Sequence, residues 1–517
     1  MNMWKRSAIA GILILVLVFT GSAAAQNRNA SRDPERILVG TMQTISSNTL
    51  FEYVSELASD KYTGRLTGTE GYNMSADWLI SYLKKWGVEP AGDNGTYLQA
   101  FPNPYTLIFP DCDAYLHIPS GETVYKKHYK YYDEYIPGST SGSGEVTAEV
   151  VYVGYGITAS ELGFDEYKDV DVRGKIVLVE RESPVGPNAG KETFLKWRPY
   201  SFHQYKLENA VRHGARGMIY NYGPIGNPNN SYDRDFIYTH VGRAVVEDVF
   251  MGTGRIHRET VDKIGSDLKP QSFATGKTFT IKNTTEHHPD GTGYNVIGKI
   301  EGSDPVMKNE IIMFGGHLDH LGACYDIMPG ANDNASAVAI MMEIADKIMQ
   351  CSIKPRRTIV FNFFGAEEQA VAGSKYYLEH PVYPLEKTVG LINIDGAGCG
   401  ERLGATAGRN FPSFMSYFEK YNEKYIHRQL RSNFFGNLAR PRLDAARFMW
   451  KDIPSLTFNS SGANTHYHTP GDNIDIINEE IMEDLAQLLF IAVMDMANQD
   501  ELDFRKDALE SGFDQRN

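Results

Sequence analysis

Histidines and carboxylates gather where apolar runs of this sequence end. His317, Asp319 and His320 follow the run 310–314. Asp333 sits in Pro329-Gly330-Ala331-Asn332-Asp333-Asn334, just before a helix-like stretch. Glu367 and Glu368 follow 358–364, Asp395 follows 389–394, and the loop after 455–458 holds Thr465-His466-Tyr467-His468-Thr469-Pro470-Gly471-Asp472. Singly, a histidine is usually structural and an acidic pair after a strand usually caps a helix. Together, unpaired carboxylates on one crevice would repel one another and be driven toward protonation, a cost that divalent cations remove. An oxygen- and imidazole-rich set without clustered cysteine suits an open, catalytic zinc site. Two histidines with three carboxylates suit two ions about 3.5–4 Å apart that share one carboxylate. Asp333, at a helix start that favours an anion, is the candidate bridge. His317, Asp333 and Asp395 would then hold one zinc ion and Asp333, Glu368 and His468 the other. Glu367, beside a ligand yet free, is placed as general base. Asp319 would accept the second imidazole N–H of His317. Tyr467 could donate a hydrogen bond to a developing oxyanion.

Such residues need strands to bring them to one edge. From Tyr294 on, strand-like runs alternate with helix-like runs at 335–349 and 479–496, which predicts an α/β fold with a largely parallel, covered sheet. Sites in such sheets lie beyond the carboxyl ends of the strands. Earlier, Leu50, Val54 and Leu57 share a helical face, as do Ala76, Leu79, Ile80, Leu83 and Trp86 before Gly87. The Gly- and Ser-rich stretch 137–144 reads as a flexible surface connection. After it come short β runs at 149–155, 175–180 and 217–221 with a helix at 206–214, and the polar stretch 283–293 reads as the exit of that small module. The resulting division is 26–135 and 286–500 for the main domain, 136–285 for the β-rich insert, and 501–517 for a frayed tail. Lys5 and Arg6 ahead of the apolar run 8–19 and of Ala23-Ala24-Ala25 read as a signal peptide over residues 1–25, with cleavage near Ala25 and a secreted or periplasmic product. No other run is long and apolar enough to span a membrane.

Composition narrows the partners. With 51 Lys plus Arg against 65 Asp plus Glu, the net charge of −14 argues against nucleic acid as a partner. Four cysteines in 517 residues are no disulfide scaffold. Cys324 and Cys399 follow the loops of His317 and Asp395, which makes them candidates for one disulfide in an oxidising compartment.

The ordered set His317-x-Asp319, Asn332-Asp333-Asn334-Ala335-Ser336, Glu367-Glu368, Asp395 and Tyr467-His468-Thr469 resembles the co-catalytic di-zinc aminopeptidase family, which includes bacterial leucyl aminopeptidases, aminopeptidase Y and the glutamate carboxypeptidase II group. Val153-Gly154-Tyr155-Gly156, the run 173–179 and Asn209-Ala210 with 214–217 are similar to the protease-associated insert of many members. The resemblance implies a zinc exopeptidase-like α/β fold with a mixed, mostly parallel sheet flanked by helices, two zinc ions per chain, peptide substrates, and the metal and base roles already given. It leaves substrate-binding residues and oligomeric state open. Family members often show Ser-Asp-His-x-x-Phe before the last core strand, whereas this chain has Leu443-Asp444-Ala445-Ala446-Arg447-Phe448. Arg447 there could meet a substrate carboxylate or form an ion pair. A carboxypeptidase of acidic ends, with Arg447 or Arg409 as its cation, a single-zinc glutaminyl cyclase and a non-catalytic receptor-like relative remain alternatives on the same fold.

Overall fold

The computed structural model describes residues 33–435, 443–462 and 466–510; the signal-like segment 1–25 and Thr465 lie outside them. A helix at Pro34–Met42 opens the described chain, and two longer ones follow. In α1 (Ser47–Leu57), Leu50, Val54 and Leu57 are buried, and in α2 (Glu70–Trp86) Thr69 caps the first turn through its hydroxyl. Gly87, at φ 79°, ends α2 in the left-handed conformation that glycine adopts without strain.

The main sheet has nine strands. Its centre is built from β1 (Thr292–Ile300), β2 (Ile311–His317), β3 (Thr358–Phe364), β4 (Thr388–Ile394), β5 (Arg402–Thr406) and β6 (Ser455–Ser461), in the spatial order β1-β3-β2-β4-β6-β5. The four strands β3, β2, β4 and β6 are parallel, and β1 and β5 flank them antiparallel. His317 pairs in register with Phe364, and Gly315 with both Asn362 and Asn393, so the carboxyl ends of β2, β3 and β4 lie level. Every residue of β2, β3 and β4 is buried, as expected of parallel strands covered on both faces. One cover is α3 (Ser336–Gln350), itself packed under α1, α2 and α4 (Glu479–Ala497). Ala337, Val338, Ile340, Met341, Ile344 and Ile348 are all fully buried on α3. Each large aliphatic side chain there contributes about 1.5–3 kcal/mol.

A second sheet, of ten strands, includes Tyr105–Ser120, Gly144–Tyr152, Ile176–Glu180, Gly217–Asn221, Ile237–Val241 and Phe273–His288. It changes several sequence expectations. Strand Tyr105–Ser120 pairs along most of Phe273–His288, so the division at 135/136 falls between strands of one sheet. Residues 137–142 are buried rather than a surface tether. A Cβ on Gly138 would lie 2.3 Å from the ring of Tyr238, Thr140 shares a 2.8 Å hydrogen bond with the Tyr238 hydroxyl, and Ser141 takes a 2.9 Å bond from Asn283. Small residues occur there because the backbone must run against an aromatic ring. The polar stretch 283–293 is also mostly strand, because Asn283 spends its amide inside the sheet on Ser141 and on the Tyr238 carbonyl. The tail up to Glu510 is anchored by a helix, Arg505–Glu510. Phe504 stacks on Phe414 with centroids 4.3 Å apart, and Asp507 accepts the Ser413 N–H at 2.7 Å. No helix among the described residues is long and apolar enough to cross a membrane.

Candidate metal centre

The level ends of β2, β3, β4 and β6 carry the residues singled out above to one place. His317, the last residue of β2, presents Nε2 to Asp333 Oδ1 at 3.2 Å and to Asp395 Oδ1 at 3.7 Å. His468 presents Nε2 to Asp333 Oδ2 at 3.3 Å and to Glu368 Oε2 at 3.1 Å. The Asp333 carboxylate therefore stands between two imidazoles, each of which also faces a second acid.

Both rings are fixed from behind. The Nδ1 atom of His317 lies 3.1 Å from the Asp319 carbonyl oxygen, and that of His468 lies 2.9 Å from the Gly226 carbonyl oxygen. A carbonyl only accepts, so both Nδ1 atoms donate, and in the neutral rings Nε2 is a bare lone pair. Two lone pairs then face carboxylate oxygens, which is repulsive unless a proton or a metal cation lies among them. The Nε2 atom of His468 is indeed buried with no hydrogen-bond partner. Burial opposes charge on these histidines, yet neighbouring carboxylates outweigh it: Asp319, Asp333 and Asp395 raise His317 well above the usual range, and Glu368 and Asp333 raise His468. Burial likewise opposes ionisation of Asp333 and Glu368, but the histidines win, holding Asp333 well below the usual range and Glu368 down to about 2. The donor set of imidazole and carboxylate with unspent lone pairs fits divalent metal. His317, Asp333 and Asp395 form one group with metal-binding spacing, and His320, Asp333 and Glu368 form another.

His320 was not a candidate from sequence. It is fully buried, with Nδ1 3.0 Å from Glu368 Oε1, so Glu368 has one histidine on each oxygen. Only its adjacency to Asp319 at a strand end could have signalled it. Asp319 acts differently from expectation. The acceptor at hydrogen-bond distance from His317 is the Asp319 carbonyl, with the carboxylate 3.6 Å away. That carboxylate instead accepts the backbone N–H groups of Glu367 at 3.1 Å and Glu368 at 3.3 Å, and so sets the turn after β3.

The loops are laced together by side chains that look like plain turn formers in the sequence. Asp472 accepts the N–H groups of Asn332 at 2.8 Å and Asp333 at 3.0 Å. Asn332 accepts the Gly398 N–H at 2.7 Å and Asn334 the Gly396 N–H at 3.1 Å, tying the loop of Asp333 to that of Asp395. Beneath lies Arg65, wholly buried. Its guanidinium donates to the carbonyls of Leu318 at 3.0 Å, Leu57 at 2.6 Å, Pro329 at 2.7 Å and Gly330 at 2.8 Å. Burial lowers Arg65 to about 10, opposed by Asp472, Asp319, Asp333 and Glu368, so it serves both as a brace and as positive charge under the acids. Arg65→Met should cost roughly 3–5 kcal/mol, the range for breaking a buried charged network. Denaturant unfolding measures this, and a loss under about 1 kcal/mol, the scale of one ordinary hydrogen bond, would contradict it.

Glu367 lines a cavity of about 240 Å³ together with Tyr467, His468 and Val371, and with Arg181, Glu182 and Tyr222 from the second sheet's module. Burial, together with Glu368, Asp444 and Asp395, raises Glu367 well above the carboxylate range, against the pull of His317. Tyr467 stacks on His468 with centroids 3.7 Å apart and is half exposed. Ala366, Ala370, Val371 and His468 all have positive φ, a concentration of strained backbone typical of working sites. Arg447 donates to the Ala370 carbonyl at 3.0 Å and is not among the residues lining this cavity, so it braces the turn after Glu368 from behind. All four cysteines are free. Cys324 packs beside Cys112 in a cluster that does not include Cys399, so the Cys324–Cys399 pairing is not formed.

Comparison with known proteins agrees with this architecture. Residues 295–493 match peptidase family M28, and residues 146–248 match the PA domain. Leupeptin-inactivating enzyme 1 of Streptomyces exfoliatus is 34% identical over 151 residues, 28% of this chain and 32% of that protein. An aminopeptidase of Pseudomonas aeruginosa is 25% identical over 351 residues, 67% of this chain and 56% of that protein. The chain thus spans from about a third to just over half the length of these relatives. Among solved structures, the aminopeptidase from Aneurinibacillus sp. strain AM-1 superposes with a TM-score of 0.63 at 21% identity, covering 90% of this chain and 97% of that one. A zinc aminopeptidase from Bacillus subtilis superposes at 0.56 and 19% identity, covering 87% and 95%. Both likenesses show the fold.

Proposed function

The chain carries a peptidase family M28 domain with a PA domain ahead of it, and from that premise we propose that it is a zinc-dependent aminopeptidase that removes the first residue of peptides. The observation that supports this reading is the Asp333 carboxylate set between the Nε2 atoms of His317 and His468. Two zinc ions, held by His317, Asp333 and Asp395 and by Asp333, Glu368 and His468, would supply an activated water and polarise the scissile carbonyl. Glu367, at the cavity wall, accepts the proton of the attacking water and returns it to the departing amine. Tyr467, on the same wall, donates to the carbonyl oxygen as negative charge grows there. His320 keeps Glu368 aimed by holding its other oxygen. The signal-like segment 1–25 supports placing this reaction outside the cytoplasm.

Chelator-stripped protein is expected to lose hydrolysis of aminoacyl amides and to regain it with zinc. Full activity in the metal-free protein would contradict the proposal. One observation favours a second reading. Arg181, exposed on the wall of the same cavity, could receive a carboxylate, as a carboxypeptidase of acidic ends would require. Peptides blocked at either end separate the two: the aminopeptidase tolerates a C-terminal amide and fails on an acetylated N-terminus.

A further inference from the structure

The cavity at Glu367 continues beyond the metal-binding residues. A second cavity, of about 370 Å³, adjoins it, and Asn229 and Ala370 line both. One side of it comes from the peptidase domain, through Pro102, Pro104 and Gln369. The other comes from the PA-containing module, through Gln204, Asn229 and Tyr232. The cleft therefore runs along the seam between the two modules, starting at the general-base candidate.

Its chemistry suits a peptide chain of mixed sequence. Among the described residues no Asp, Glu, Lys or Arg lines the second cavity, so no side-chain charge is selected there. Primary amides line it from both sides, and an amide offers two donors and two lone pairs, which match a peptide N–H and C=O whatever the side chain. These amides are held in place: Gln369 donates to the Pro104 carbonyl at 3.1 Å and accepts from Asn103 at 3.2 Å, and Gln204 donates to the Asn229 carbonyl at 3.3 Å. The aromatic walls are held as well. Tyr232 stacks on His287 with centroids 3.6 Å apart and planes 7° apart, and Tyr105 stacks on His288 at 4.6 Å and 15°. A preorganised polar groove binds without the cost of ordering its own walls.

The direction of the chain follows from the aminopeptidase reading, on which this inference rests. An enzyme that removes the first residue has a single residue on the amino side of the scissile bond. A cleft that continues past the site then takes either the first residue's side chain or the residues after the cut, and its amide lining suits the backbone of the latter. We propose that the seam lined by Gln204, Asn229, Tyr232 and Gln369 is the binding groove for the second and later residues of the substrate, which makes the enzyme selective for oligopeptides over aminoacyl amides or dipeptides.

Binding energy from such remote residues is spent at the reacting centre, so longer substrates gain in kcat/KM. Two peptide hydrogen bonds at about 1 kcal/mol each correspond to a gain of roughly 10–100-fold. In a series from leucinamide to di-, tri- and tetrapeptides with the same first residue, kcat/KM should climb by that factor and level off. Tyr232→Ala and Gln204→Ala should remove most of the climb while leaving leucinamide turnover unchanged. A flat series in the unaltered enzyme, or variants that slow leucinamide and tetrapeptide equally, would overturn the proposal. A tetrapeptide whose first amide is reduced to CH2–NH gives a readout independent of turnover. It should bind more tightly than the matching reduced dipeptide, and Tyr232→Ala should abolish the difference. If that length dependence stands in a protein that hydrolyses nothing, the peptide groove survives and the aminopeptidase reading falls; if reduced dipeptide and tetrapeptide bind alike, the groove falls.

Discussion

Glu367→Gln is expected to lower kcat about 10²–10⁴-fold, the range for loss of an acid–base residue, while metal content and fold persist. The side chain lines the cavity but is not among the groups placed around Asp333, so its amide should leave the metal-binding set intact. The same environment predicts the pH dependence. Burial and the neighbouring acids raise Glu367, so its protonated form persists above the ordinary glutamate value of about 4.3. Only the ionised form can take a proton, so kcat/KM should fall at low pH as Glu367 protonates, and zinc bound beside it would move that limb below its position in the metal-free protein. For stability the sign is opposite. A folded state that binds this proton more tightly than the unfolded chain loses that advantage as pH rises. Glu367→Gln mimics the protonated form and should therefore leave the metal-free protein at least as stable near neutral pH. A variant with kcat within a few-fold of the parent would remove Glu367 from its assigned role.

Asp333→Ala should have the broadest effect on metal. Among the described residues, Asp395 faces His317, and Glu368 faces His320 and His468, whereas Asp333 faces both clusters. Asp395→Ala and Glu368→Ala should each weaken one ion chiefly. Asp333→Ala should weaken both, by more than the 10–100-fold typical of residues that merely orient a ligand. Competition with a chromophoric chelator measures this. If Asp333→Ala lost a single equivalent and kept the other at parental affinity, the shared position would be wrong.

The parts of the centre that stood out in the sequence are those set by strand ends. The apolar runs of β2, β3, β4 and β6 mark the sheet, and parallel strands deliver whatever follows them to one edge, so His317, Asp333, Glu368, Asp395 and His468 could be assembled on paper. What escaped has a common cause. Asp472 looks like the end of a Thr-Pro-Gly turn, because nothing local shows that its oxygens will meet the backbone of Asn332 and Asp333, 140 and 139 residues away. Nothing local to Arg65 shows its place beneath four carboxylates, which depends on chain from residues 318, 329 and 330. The stretch 137–142 shows the limit of composition: Gly and Ser suit both a loose tether and a backbone pressed against Tyr238, and only tertiary packing decides. The Gly226 carbonyl that fixes His468 belongs to the other module, and a backbone acceptor has no sequence signature at all.

The account depends on Asp333 lying between two metal ions. Anomalous diffraction from zinc-loaded crystals, collected on both sides of the zinc absorption edge, tests this most directly. Two peaks about 3.5–4 Å apart, one beside His317 and Asp395 and one beside His468 and Glu368, are predicted. A single peak, or zinc held elsewhere with the Nε2 atoms of His317 and His468 bonded to protons instead, would contradict it.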